Sequence, residues 1–168
     1  NFKKATKYYE KVIKGNPEYE MAFNCKINKA QCVQGNSKHS KKVRAELLKM
    51  TKDDKNKEYL DQIYYTIAKI ELSEEDTSLA IENFILSTKK SEFNDVQKAK
   101  SFLELGKIYY AKPDYMRSSA FYDSTIAFMD SDHKDYNQTK ERQLLLAELA
   151  AHINAISLQD SLQVLANM

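Results

Sequence analysis

The sequence predicts an all-α fold made of stacked helical hairpins, and three observations carry that prediction. Only three glycines and two prolines occur in 168 residues, too few for the many tight turns of a sandwich or barrel or for a glycine-lined phosphate site. Apolar residues recur at spacings of three and four along most of the chain, the period of an amphipathic helix. Two independent pairs of small residues, Ala68 with Gly106 and Ala80 with Ser118, stand 38 positions apart, so the helices themselves repeat.

Composition narrows the function classes. With 26 Lys or Arg against 24 Asp or Glu, the formal charge is only +2, which lacks the imbalance of a chain that captures polyanions by long-range attraction. Hydrophobic residues make up 42%, with 11 Tyr and 7 Phe, enough apolar surface for a packed domain. No apolar run approaches the roughly 20 residues of a membrane span. No signal peptide or initiating Met precedes Asn1, so a soluble fragment of a longer protein is expected. On one helix Cys25 and Cys32 lie about 10 Å apart, too far to bridge, and are read as small packing residues.

Taken in order, residues 1–18 read as the second helix of a unit cut short, from Ala5, Tyr9, Val12 and Pro17. Residues 19–54 form a divergent unit: Phe23, Ile27 and Ala30 mark its first helix, Val43, Leu47 and Met50 its second, and Gly35-Asn36-Ser37 the turn between them. Residues 55–92 carry Tyr64, Ile67 and Ala68, a turn at Glu74-Glu75-Asp76, then Ala80 and Phe84. Residues 93–130 repeat this with Phe102, Leu105, Gly106 and Tyr109, a turn at Lys112-Pro113-Asp114-Tyr115, then Ser118 and Tyr122. Small residues at 68 and 106 leave the gap that Phe84 or Tyr122 of the paired helix fills. Residues 131–168 are expected to cap or continue the stack. After the polar break at residues 131–135, Leu145, Leu149, Ile153 and Ile156 mark a packing helix, and Ser157-Leu158-Gln159-Asp160 resembles a cap from which a second short helix begins.

The pattern Phe102-x2-Leu105-Gly106-x2-Tyr109 followed by Ser118-x3-Tyr122 resembles the tetratricopeptide repeat, W-x2-L-G-x2-Y with A-x3-F. That resemblance covers about residues 1–130 and implies a right-handed superhelical stack of helix hairpins. The 38-residue period exceeds the usual 34. The extra residues fall around Lys89 to Asp95, where the second helix is expected to run a turn longer, with a contact ridge as the alternative. Residues 8–20, residues 52–65, Asp114-Tyr115 and Ala120-Phe121-Tyr122-Asp123-Ser124 are similar to the SprE/PorW gliding-motility and type IX secretion lipoproteins of Bacteroidetes. This second resemblance implies a periplasmic domain at the outer membrane that works by protein contacts. Membrane association would come only through an N-terminal lipid anchor outside these residues.

No catalytic apparatus is visible. His39, His133 and His152 lack partners at ligand spacing, no nucleophile or phosphate-loop motif occurs, and neither a metal nor a cofactor is expected. Glu74-Glu75-Asp76 is read as a turn and helix cap rather than a calcium site. Lys38, Lys41, Lys42, Lys49 and Lys52, together with Arg44, form the strongest charge feature, read as a solvated face or as a contact for an acidic partner. Asp130, Asp132 and Asp135 place opposite charge towards the other end, which end-to-end contacts could exploit.

In tetratricopeptide proteins the first helix of each unit lines the concave groove. The resemblance therefore marks Asn24 and Asn28, then Gln62, Tyr65, Thr66 and Lys69, then Lys100, Leu103, Lys107 and Tyr110 as candidate peptide contacts. A merely hydrated wall is the alternative. The family's carboxylate clamp for chaperone tails is disfavoured, because Cys25, Thr66 and Glu104 stand where it needs Lys, Asn and Arg, and only Asn28 and Lys100 fit. A non-enzymatic scaffold for a protein or peptide partner is expected. A regulatory arm of an enzyme and a nucleic-acid-binding helical repeat are the alternatives.

Overall fold

In the computed structural model, which describes residues 2–33 and 38–167, the described residues form eight α-helices and one short 3-10 helix, with no strand among them. The chain divides into two compact units, Asn1–Glu92 and Phe93–Met168. The turn expected at Gly35-Asn36-Ser37 lies outside the described residues.

Unit 1 contains α1 (Phe2–Lys14), α2 (Tyr19–Gln31), α3 (Lys38–Met50), the 3-10 helix (Asp54–Tyr59), α4 (Leu60–Ser73) and α5 (Thr77–Lys90). Its core joins Phe23, Ile27 and Ala30 of α2, Val43 and Leu47 of α3, and Ile63, Ile67 and Ile70 of α4, the apolar positions that helical spacing singled out in α2 and α3. α4 pairs closely with α5 and also carries α2 and α3 against it. The 3-10 helix closes the base. Tyr59 stacks on Phe23 with ring centroids 4.4 Å apart, and buried Asn56 donates to the Met50 carbonyl at 2.8 Å while accepting from the Tyr19 hydroxyl at 2.5 Å.

α3 is seated by charge as well as by apolar contact. Arg44 lies 3.5 Å from Glu71 and 3.4 Å from Glu74, the Ser40 hydroxyl donates to Glu74 at 2.6 Å, and the Asn83 amide donates to Glu71 at 2.8 Å. Arg44 is thereby drawn out of the basic surface, whereas Lys38, Lys41, Lys42, Lys49 and Lys52 are exposed. Burial pushes the Glu71 carboxyl above its ordinary value, outweighing the Asn83 hydrogen bond and the Arg44 charge, which pull it down.

Unit 2 contains α6 (Asp95–Ala111), α7 (Tyr115–Phe128) and α8 (Tyr136–Ala166). The α6–α7 hairpin repeats the α4–α5 hairpin: Asp76 and Asp114, 38 positions apart, each cap the second helix by accepting from the backbone N–H three residues on. Ala68, Ala80, Gly106 and Ser118 are all buried. A Cβ placed on Gly106 would sit 2.8 Å from the Tyr122 ring, and the Ser118 hydroxyl donates to the Gly106 carbonyl at 3.0 Å. The expected small-against-large contact is therefore present, and only glycine fits it without movement of the ring.

Three expectations are corrected. α5 is no longer than α7, each having 14 residues. The added length is in α6, with 17, because the segment before α4 is wound as a 3-10 helix where α6 is already α-helical. No second helix begins at Ser157, since α8 runs unbroken for 31 residues and Ser157 merely accepts from Ser161. Finally, α8 packs on α7 through Thr139, Leu146 and Ala150, whereas Leu145 is 68% exposed and Leu149 and Ile156 also face solvent. Leu145 and Leu146 are adjacent on a helix and point about 100° apart, so spacing alone selected the wrong one of two apolar stripes.

Two outcomes test this account. Gly106→Leu should lower unfolding free energy by roughly 1 to 3 kcal/mol in urea titrations followed by circular dichroism, because the added side chain overpacks against Tyr122. Combining it with Tyr122→Ala should cost less than the two single changes together, since the cavity then accepts the leucine. Glu71→Gln should gain stability relative to the parent chain as pH rises from below 4.5 towards neutrality. The raised folded value means the glutamate favours folding most when protonated and loses that contribution once it ionises inside, whereas glutamine has no proton to lose.

Candidate functional site

Each unit opens a cleft between two helices that do not form a hairpin with one another. In unit 1 a cleft of about 420 Å³ lies between the end of α2, at Ala30, Gln31 and Val33, and α4, at Tyr65, Lys69, Ile70, Leu72 and Ser73. In unit 2 a cleft of about 380 Å³ lies between α6, at Leu103 and Lys107, and the first turns of α8, at Gln138, Thr139 and Arg142, with Asp135 and Tyr122 completing it. Tyr65 and Lys69 stand 38 positions before Leu103 and Lys107. The repeat thus presents an apolar or aromatic side chain and an ammonium group, one turn apart, to a cleft in both units.

The electrostatics of the unit 2 cleft favour ligand oxygen atoms. Lys107 bonds Glu104 at 3.3 Å across one helical turn, and its side chain is still half in solvent. Arg142 of α8 lies over the Tyr110 ring, 5.3 Å from its centroid, which fixes the guanidinium at the cleft's rim. Burial raises the Tyr122 phenol above its ordinary value, with Arg142 pulling the other way, so the hydroxyl remains a neutral donor at physiological pH. Lys107, Arg142 and the Tyr122 hydroxyl supply donors, Gln138 and Thr139 supply both donors and acceptors, and Leu103 supplies apolar area.

Of the ten residues marked from sequence, Tyr65, Lys69, Leu103 and Lys107 line these clefts. Tyr110 borders the second through Arg142 and also meets Tyr115 edge-on at 5.8 Å. Tyr65 is held in place by edge contact with Phe84 at 5.5 Å. Asn24, Asn28 and Lys100 are exposed and Gln62 is half-buried, and none of the four lines either cleft. Thr66 is a correction: it is fully buried, with its hydroxyl donating to the Gln62 carbonyl at 2.8 Å, because one residue beyond Tyr65 the helix has turned towards its core. Sequence reading missed the α2 and α8 sides of the clefts. The signal for α8 was Leu146-Ala147-x2-Ala150, which echoes Leu105-Gly106-x2-Tyr109 with small residues.

A third cleft, of about 320 Å³ in unit 1, has an apolar floor of Ile13, Ala30, Val43, Leu47 and Met50 and a rim of Lys26, Lys29 and Glu46. No group of three or more His, Cys, Asp or Glu among the described residues could hold a metal ion. Asp76 serves as a helix cap, and Glu74 is paired with Arg44 and Ser40. No family model matches the chain, and no curated protein is significantly similar to it.

Proposed function

We propose that this chain is a tetratricopeptide-like, non-enzymatic scaffold that holds extended segments of a protein partner, one in the cleft of each unit. The observation that carries this reading is the recurrence of Tyr65 with Lys69 and Leu103 with Lys107 at one repeat period, each pair lining a cleft. A partner segment with alternating apolar and acidic or carbonyl groups would use both members of each pair. The short hairpins, the Asp caps 38 residues apart and the buried small residues support a tetratricopeptide-like arrangement within each unit.

The resemblance to the gliding-motility and type IX secretion lipoproteins supports an envelope setting, with secretion-machinery components as partners on the periplasmic side of the outer membrane. Among the described residues no helix is long and apolar enough to cross a membrane, so attachment in such a setting would fall to a lipid anchor. A second reading, binding to nucleic acid, is favoured by one observation: Lys38, Lys41, Lys42 and Lys49 of α3, and Lys52 in the turn after it, are all exposed.

Lys69→Glu combined with Lys107→Glu should weaken capture of the partner from native envelope extract by about tenfold or more, with the helical circular dichroism signal unchanged. Tyr65→Ala with Tyr110→Ala should have the same direction. Undiminished capture by the folded lysine variant would remove the clefts from the binding reaction. If nucleic acid were the ligand, affinity for it should fall steeply with salt and depend on the α3 lysines instead.

A further inference from the structure

The floor of the unit 2 cleft is made by a tyrosine whose hydroxyl the fold leaves unused. Tyr122 is 3% exposed and lines the cleft, yet its hydroxyl has no hydrogen-bond partner among the described residues. Other buried hydroxyls of the unit are satisfied: Ser101, Thr125 and Thr139 each donate to a backbone carbonyl one turn back, and Ser118 donates to that of Gly106. Buried tyrosines ordinarily find such a partner too. No fully enclosed side-chain nitrogen or oxygen among the described residues lacks a partner, so the Tyr122 oxygen opens into the cleft that its ring lines.

The repeat separates the work of the ring from that of the hydroxyl. Phe84 stands 38 positions before Tyr122 and is fully buried in the α4–α5 hairpin, so the same place is filled there by a ring with no polar group. At Tyr122 the ring is held so close to Gly106 that a Cβ would come within 2.8 Å, which delivers the hydroxyl to a fixed point. Arg142 acts on that point from α8. Its guanidinium lies over the Tyr110 ring and meets no carboxylate among the described residues. Lys107, on the opposite wall, is bound to Glu104 and half in solvent. A phenol, a guanidinium and an ammonium group thus converge on an oxyanion. Charge limits which one: Glu104 and Asp135 offset Lys107 and Arg142, so a single negative charge is matched by Arg142 whereas the second charge of a phosphate meets Asp135.

We propose that the unit 2 cleft selects a side-chain carboxylate, aspartate or glutamate, within the bound segment, and that the Tyr122 hydroxyl is the contact that decides this, donating to one carboxylate oxygen while Arg142 donates to the other. Leu103 gives the methylenes of such a side chain an apolar neighbour. The inference rests on the scaffold reading above only in taking the ligand to be a protein segment.

Short peptides with both termini capped, each carrying a central glutamate, glutamine or phosphoserine beside a leucine, are the probes, titrated into the full chain and followed by backbone-amide NMR. The glutamate peptide should shift the signals of the cleft residues and bind roughly tenfold more tightly than the glutamine peptide, the phosphoserine peptide binding less tightly than the glutamate one. Tyr122→Phe should bring the glutamate peptide down to the affinity of the glutamine peptide and leave the glutamine peptide unchanged. Its urea midpoint should be the same as the parent's or higher, because the ring against Gly106 is kept and the hydroxyl had no partner to lose. A merely structural role for Tyr122 would weaken both peptides together. Arg142→Gln should reduce the same preference. A parent chain that binds none of the peptides, binds glutamate and glutamine equally or prefers phosphoserine, or a Tyr122→Phe variant that keeps the glutamate preference, overturns the proposal. Loss of partner capture in the Lys69 and Lys107 variant, alongside an intact glutamate preference in Tyr122→Phe, would sink this inference and spare the scaffold.

Discussion

The approach of paired helices at Gly106 and Tyr122 is the constraint on which unit 2 depends. The Tyr122 ring occupies the space a Cβ would need, and Ser118 ties its helix to the same glycine's carbonyl. That closeness sets the distance at which Phe102, Tyr109, Phe121 and Phe128 meet across the hairpin, with ring centroids 5.4 to 6.2 Å apart. It also brings Tyr122 to the floor of the cleft that α8 completes, so one side chain serves both packing and site. A larger residue at position 106 would therefore disturb the cleft through the core.

Unit 1 solves the same problem with more polar material. Ile63, Ile67 and Ile70 give α4 an apolar face that α2 and α3 share, and the outer side of that arrangement is set by Arg44 between two carboxylates. Asp61 is almost fully buried, yet its carboxylate accepts from the Gln62 backbone and from Ser91, and its carbonyl from Ser87. Polar groups with such partners contribute little net stability but disfavour alternative registers, since a shifted helix would leave them unpaired. Within residues 19–54, Arg44 to Glu71 and Glu74 and Ser40 to Glu74 act in this way on α3, which has few of the repeat's small-residue landmarks.

The helical class, the two regular hairpins and the Asp caps were legible because they follow from near-neighbour rules: spacing of apolar residues, turn chemistry and steric size. Tyr65, Lys69, Leu103 and Lys107 were legible for the same reason, being fixed on their helices relative to the buried positions. The opposite walls of the clefts were not, because α2 and α8 lie outside the α4–α5 and α6–α7 hairpins and no local rule states which of their faces is turned inward. Thr66 shows the limit at the scale of one residue: a step of about 100° separates a cleft wall from a core.

By itself the sequence determined that the chain is helical, that two of its hairpins stand 38 residues apart, and that small residues mark their closest contacts, since each depends on near-neighbour interactions. Only the tertiary structure decided which of the two apolar stripes of α8 is buried, that Arg44 leaves the basic face for Glu71 and Glu74, and where the clefts open. Those outcomes turn on competition between surfaces far apart in sequence. Leu145 and Leu146 are equally apolar, and it is packing against α7 that leaves Leu146 buried and Leu145 exposed.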